Sequence, residues 1–282
     1  MTTTYQLVDV FGSGPFTGNP VAVLDGEGLS TDAMQQIARW MNLSETTFLL
    51  PPTTPDADYR VRIFTLEREL PFAGHPTLGT CHAWVERTGA DSKTRVLQEC
   101  PAGLVAVERR NERWAFEAPP LVRSGPVDEP LVDEMAEFLN IDRGRIVAAE
   151  WCDNGPGWLG ILLSSAEEVL ALEPATSHPR RIDVGVIGPH PEGGDVGFEL
   201  RTFFSNHVGA ILEDPVTGSF QASAAQWMIG SGRAEPPYVT AQGTCLGRKG
   251  RAFIEADAGK LWIGGRTETL ALGESTFEAE TV

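Results

Sequence analysis

Basic residues are scarce in this chain: 22 Lys and Arg stand against 39 Asp and Glu, a formal net charge of −17 over 282 residues. So acidic a surface repels phosphate backbones and anionic lipid, which excludes nucleic acid as a default partner. Cysteine is sparse too. Cys81, Cys100, Cys152 and Cys245 lie far apart, with no Cys-x-x-Cys pair to signal a zinc site or a redox dithiol, and reduced, mostly buried thiols are expected. No run reaches the roughly 20 apolar residues needed to span a bilayer. The opening Met1-Thr-Thr-Thr-Tyr5 lacks the basic and apolar regions of a secretory leader, so the expectation is a cytoplasmic protein with no membrane partner. No Walker loop, His-Glu-x-x-His or Gly-x-Ser-x-Gly occurs, and Gly12-x-Gly14 precedes a strand pattern rather than a helix. His82, His178, His190 and His207 lack metal-ligand spacing, and neither a metal nor a cofactor is expected.

What is present is said twice. Arg62-x-Phe64 recurs as Arg201-x-Phe203, Pro76 as Pro215, Gly79 as Gly218 and Thr80 as Ser219, all at the offset 139 (201 − 62, 215 − 76, 218 − 79). Length and composition allow two ordinary cores. The order of elements also repeats. In the first half, the alternating run Tyr5 to Phe11, a Gly/Pro turn and the apolar run Val21 to Leu24 read as strand, loop and strand. Ser30 suits the N-cap of a helix ending near Asn42, with Leu29 and Met34 placed as a hydrophobic staple. Thr46 to Leu50 and Tyr59 to Phe64 read as strands, followed by the turn Phe72-Ala-Gly-His-Pro-Thr-Leu-Gly-Thr80, a helical run from Cys81 to Val85 and a hairpin around Arg110-Asn-Glu112.

The second half has a turn Asp153 to Gly157, an apolar run from Trp158, a Ser165-capped helix and a strand Gly197 to Phe204. The turn Asp214-Pro-Val-Thr-Gly-Ser219, a helix Phe220 to Ile229 and a hairpin Ala252 to Ile263 follow. Proline and glycine between Ala118 and Pro126 mark the join. The expected fold is therefore α+β, in two pseudo-symmetric lobes, 1–120 and 121–282, each a mixed sheet around one central helix. The last strand is free to return to the first lobe.

The two matching turns carry the chemistry. A helix N-terminus presents backbone N–H groups without intrahelical partners and attracts anions. Gly74 and Gly218 let a ligand approach such an end, while Thr80 and Ser219 can cap it or touch the ligand. Singly, each turn is better read as a well-capped helix; duplication moves the reading towards a shared site for a small carboxylate. The offset sets His75, titrating near neutrality, opposite Asp214. Glu45, at the junction of helix and strand, is either a solvated surface group or, if buried, an acid/base usable near neutral pH.

Gly18-Asn-Pro20, Leu43-Ser-Glu-Thr46, Phe72-Ala-Gly-His-Pro-Thr77 and Asp214-Pro-Val-Thr-Gly-Ser219, in this order, closely resemble the phenazine biosynthesis PhzF-like family over nearly the whole chain. The resemblance implies a diaminopimelate epimerase-like fold, a cleft between two lobes and a homodimer. It also implies Glu45 as the principal proton carrier, with Ser44, Gly74, His75, Asp214, Gly218 and Ser219 lining the site. The family's best-known member isomerises trans-2,3-dihydro-3-hydroxyanthranilate without a cofactor. Racemases of this fold class use two opposed cysteines at these turns, and this chain has none there.

The leading reading is a cofactor-independent isomerase that moves a proton between carbons of a small unsaturated or cyclic carboxylic acid. One acid/base supplies about 10² to 10⁴ in rate, and closure over the substrate adds up to about 7–11 kcal/mol. An epimerase of a small acid, and a non-catalytic small-acid-binding protein, remain as alternatives.

Overall fold

A computed structural model describes residues 3–206 and 208–275; His207 lies outside the described residues. The chain divides into two compact units, Ala118–Ile263 and the remainder.

In the first unit, strand Thr3–Val10 pairs antiparallel with Asn19–Asp25 on one side and with Thr267–Ser275 on the other. Asn19–Asp25 then pairs parallel with Glu45–Leu50, the crossover being helix α1, Thr31–Met41. Glu45–Leu50 runs antiparallel to Tyr59–Phe64. A second parallel pair, Tyr59–Phe64 with Arg95–Cys100, is spanned by helix α2, Gly74–Thr88, and antiparallel Gly103–Arg110 and Arg113–Glu117 follow. Ser30 caps α1, its hydroxyl accepting Ala33 N–H at 3.1 Å, and Asn42 ends it in a left-handed conformation. Leu29 packs on the cluster that includes Met34, which places the staple where the sequence puts it.

The sheet curls around α2, whose first eight residues, Gly74 to Cys81, are all buried. A helix can be sheathed this closely only where small residues face the strands. A Cβ on Gly79 would lie 2.3 Å from Val21 Cγ1, so the absent side chain is what lets helix and strand meet. Buried hydroxyls and amides tie the helix to its strands: Thr80 donates to Thr47 Oγ1 at 2.9 Å, Gln98 donates to Thr77 Oγ1 at 3.0 Å, and Tyr59 donates to Gln98 Oε1 at 3.0 Å.

The second unit runs the same programme. Strand Ala148–Asp153 lies antiparallel between Arg123–Pro126 and Leu159–Leu162. Leu159–Leu162 pairs parallel with Asp183–Pro189 across helix α4, Ala166–Leu170, which Ser165 caps by accepting Glu168 N–H at 3.2 Å. Helix α3, Glu129–Phe138, precedes these strands and packs into a cluster with Ile161, Val186 and Phe203. Asp183–Pro189 runs antiparallel to Phe198–Ser205, which pairs parallel with Tyr238–Gln242 across helix α5, Gly218–Gly230. Strands Gly250–Asp257 and Lys260–Gly265 complete the unit. Parallel pair, antiparallel strand, parallel pair is thus the order in both units.

The repeated Arg-x-Phe sits at matching places in this order. Arg62 makes a two-pronged ion pair with Glu69 (2.7 and 2.5 Å) and lies over the Phe64 ring at 5.1 Å. Arg201 pairs likewise with Glu213 (3.0 and 2.7 Å) and lies over Phe203 at 5.0 Å. The motif is a structural clamp. The single offset holds for these strands, which begin at Tyr59 and Phe198 (198 − 59 = 139), but not for the central helices, which begin at Gly74 and Gly218 (218 − 74 = 144). A longer connection in the second unit absorbs the difference.

Two expectations change in consequence. The helical run expected from Cys81 begins seven residues earlier, at Gly74 (81 − 74 = 7), so Pro76 lies inside the first turn of α2, where its missing N–H costs nothing. Pro215, its partner at offset 139, stands ahead of α5. Thr80, expected to cap or touch a ligand, is instead fully buried against Thr47 in the core.

Candidate active site

In the first unit the strand register brings three segments together. Glu45 opens its strand beside Val21, the residue after Pro20. Ser44 precedes it, partly exposed. The turn before Asn19-Pro20 is held by the buried Asp9 carboxylate, which accepts N–H bonds from Thr17 at 3.0 Å and Gly18 at 2.9 Å. Opposite lies the start of α2, where Ala73 occupies the N-cap in extended conformation with no side-chain cap, leaving the first-turn N–H groups of Gly74 and His75 outside the helical ladder.

His75 Nδ1 lies 3.4 Å from Glu45 Oε2, with the imidazole 4% and the carboxylate 16% exposed. Burial pushes the His75 pKa down to about 3, and a hydrogen bond with the Pro20 backbone carbonyl opposes this only in part. The imidazole is therefore neutral at physiological pH, and the expected near-neutral titration of His75 is corrected: desolvation of the imidazolium outweighs its neighbours. The contact with Glu45 joins a carboxyl group to a neutral ring, not to a cation.

In the second unit Asp214, also buried, follows strand Ile211–Glu213. Thr217 donates its hydroxyl to Asp214 Oδ2 at 2.5 Å, and Thr202 and Thr217 hydroxyls meet at 2.6 Å. Gln242 donates from Nε2 to Thr202 Oγ1 at 2.9 Å and to the Asp214 carbonyl at 3.1 Å, while its Oε1 accepts Thr217 N–H at 3.1 Å. With Thr217 donating to the carboxylate, Thr202 must donate to Thr217, so the hydroxyl hydrogens run towards Asp214. Thr217, the N-cap residue of α5, is committed to this chain and does not cap its own helix. Gly218 and Ser219 are the first two residues of α5. Ser219 Oγ accepts the Trp158 indole N–H at 2.9 Å, and Asn154 Nδ2 donates to the Ser219 carbonyl at 2.8 Å.

The structure thus gathers Ser44, Glu45, Gly74 and His75 in one group, and Asp214, Gly218 and Ser219 in another. It adds Asp9, Asn154, Trp158, Thr202, Thr217 and Gln242, none of which stands out in the sequence as a site residue. Most are tied to residues distant in the chain, Gln242 to Thr202 and Thr217, Trp158 and Asn154 to Ser219, a relationship without local periodicity. Thr217 at least lies inside the Asp214 to Ser219 turn. Cys81, Cys100 and Cys152 are buried thiols and Cys245 is exposed; all four are free. Burial raises the Cys152 thiol to about 12 and Cys81 further still, which leaves both inert as nucleophiles. Among the described residues, no helix is long and apolar enough to cross a membrane and no His, Cys, Asp and Glu cluster has the arrangement of a metal site.

Comparison with known proteins places the chain in a family. The chain is 37% identical to antisense-enhancing sequence 1 of Schizosaccharomyces pombe, over 96% of this chain and 98% of that protein. It is 33% identical to the trans-2,3-dihydro-3-hydroxyanthranilate isomerase of Pseudomonas aeruginosa, over 90% of each. A crystal structure of a phenazine biosynthesis PhzF family protein from Enterococcus faecalis superposes with a TM-score of 0.78 at 27% identity, covering 98% of this chain and all of that one. The profile described as phenazine biosynthesis-like protein, PhzC-PhzF, matches residues 8–273, and the chain belongs to that family.

Proposed function

We propose that this protein is an isomerase that moves a proton between carbons of a small unsaturated or cyclic carboxylic acid, with Glu45 as the general acid/base. The observation that carries the proposal is the 3.4 Å approach of Glu45 to an imidazole held neutral by burial. An imidazolium there would lock the carboxylate in its ionised form; a neutral ring orients it and leaves it free to take up a proton and give it back. Whole-length similarity to isomerases that act on trans-2,3-dihydro-3-hydroxyanthranilate supports the reaction class. In this reading Ser44, Gly74 and His75 hold the reacting part of the substrate. In the second unit, Asp214, Gly218 and Ser219 form a binding group for a carboxylate, which the α5 N–H groups meet.

The step is internally balanced. Glu45 accepts a proton from one carbon, the electron pair shifts through the unsaturated system, and the carboxyl group, whose proton exchanges with solvent while it is held there, delivers a proton to another carbon on the same face. No redox partner or cofactor enters. The reading also takes the protein as a cytoplasmic homodimer, which light scattering and cell fractionation test.

The experiment is turnover in D₂O with trans-2,3-dihydro-3-hydroxyanthranilate and related cyclic hydroxy acids. Native protein should place deuterium on the product carbon, and Glu45→Gln should abolish labelling while still binding the acid. Retained turnover in that variant overturns the assignment of Glu45. Binding by the native protein with no labelling across the panel overturns the isomerase reading in favour of a binding protein.

A further inference from the structure

Ser219 is the second residue of α5 and partly exposed, and its hydroxyl meets the indole of Trp158 at 2.9 Å. An indole N–H only donates. Ser219 Oγ is therefore the acceptor in this bond, one of its lone pairs is occupied, and its own hydrogen is directed elsewhere. The indole cannot shift to release it. Trp158 is almost fully buried in a cluster with Cys152, Leu162, Ile187 and Leu200, and its ring packs on Phe220 with centroids 5.7 Å apart. The Ser219 backbone is held as firmly, by Asn154 donating to its carbonyl. Asn154 is itself fixed in a tight turn whose N–H groups, at Gly155 and Gly157, bond Asp153 Oδ1 at 2.7 and 2.8 Å.

We infer that Trp158 is a positioning residue that makes Ser219 a dedicated hydrogen-bond donor, so that the α5 end selects an ionised carboxylate over a carboxamide of the same shape. The inference rests on the proposed substrate-binding role of Ser219 and adds its specificity. A carboxylate oxygen accepts the Ser219 hydrogen and the helix N–H groups together. A carboxamide must place one NH₂ group against donors, and the Ser219 oxygen, engaged by the indole, gives that group little to bond.

The test is binding, so it does not depend on turnover. Titration calorimetry with 3-hydroxyanthranilate, the aromatic counterpart of the dihydro acid, and with 3-hydroxyanthranilamide gives the acid-to-amide affinity ratio. Trp158→Phe keeps a ring in the cluster and removes only the indole donor. It should lower the ratio about tenfold, because Ser219 Oγ, released from the indole, can then accept from the amide. Ser219→Ala should lower it as far, and the double variant no further. In the ¹H–¹⁵N spectrum of the seven tryptophans, one indole signal should vanish in Trp158→Phe and the same signal should move in Ser219→Ala. An unchanged ratio in Trp158→Phe, additive losses in the double variant, or no saturable binding of the acid to native protein would each overturn the inference. Loss of deuterium labelling alone would sink the isomerase reading and leave this one standing.

Discussion

His75 Nδ1 lies 3.4 Å from Glu45 Oε2, yet burial drives the imidazole pKa to about 3. A base whose pKa is lower folded than unfolded binds fewer protons in the native state between the two values. Stability therefore rises with pH across that window and is lost as pH falls through it, from the unfolded value of about 6.5 towards 3. His75→Asn removes the titration, so its unfolding free energy from urea titrations should fall less between pH 6.5 and 4 than that of the native protein, by as much as about 1.4 kcal/mol per pH unit. His82 is also lowered by burial, with Glu86 opposing, and contributes in the same sense. Parallel curves for native and His75→Asn protein would show that the imidazole is not held neutral.

The same burial bears on catalysis. Over pH 5 to 8 the imidazole does not change charge, so any limb in a kcat/KM profile in that range belongs to another group. His75→Gln, which keeps a polar side chain without a titrating ring, should lower kcat while leaving the position of the limbs unchanged; a limb that disappears in this variant would return His75 to the role of titrating acid.

Much of this arrangement is legible in the sequence, and the parts that are not share a cause. Ser30 and Ser165 announce helix starts because capping is a local bargain between a hydroxyl and an N–H three residues on. The Arg-x-Phe pair betrays the duplicated strands because its ion pair closes within one hairpin. His75 and Asp214 align in sequence, but α2 and α5 start at different offsets, since connection length is set by packing and leaves strand periodicity untouched. Thr202, Thr217 and Gln242 form one buried chain across 40 residues, a proximity that only the completed fold creates.

Thr217→Val tests that chain. The substitution keeps the branched shape and removes the hydroxyl between Asp214 Oδ2, Thr202 and Gln242. Leaving a buried carboxylate oxygen and the Thr202 hydroxyl short of a partner should cost about 1–3 kcal/mol in denaturant unfolding. A variant as stable as the native protein would show that the network does not brace Asp214.

Gly79→Ala probes the seat of α2. Its methyl group would fall 2.3 Å from Val21 Cγ1 and 3.0 Å from Val10 Cγ2, so the helix must retreat from the strand that carries Pro20 and pairs with that of Glu45. Overpacking of this kind costs about 1–3 kcal/mol. Both melting temperature and kcat should fall, although no side chain of the candidate site is altered. A stabilised variant, as a helix propensity argument taken alone would give, is the opposing outcome.

The paired arginines give a comparison with its own internal control. Arg62 and Arg201 hold the same chemistry, but their side chains are 23% and 7% exposed, and their partners Glu69 and Glu213 are 27% and 11% exposed. Arg201 further donates to the carbonyls of Val169 and Leu172 at 3.2 and 2.8 Å, closing the end of α4. Removing one partner of a buried pair leaves an uncompensated charge and costs about 3–5 kcal/mol, whereas a more exposed pair is worth up to about 1 kcal/mol. Arg201→Ala should therefore destabilise the protein several times more than Arg62→Ala. Lysine should rescue neither fully, because an ammonium can neither match both carboxylate oxygens nor stack flat on Phe203. Equal losses at the two positions in urea titrations would mean that the clamp works through its geometry alone and not through the water it excludes.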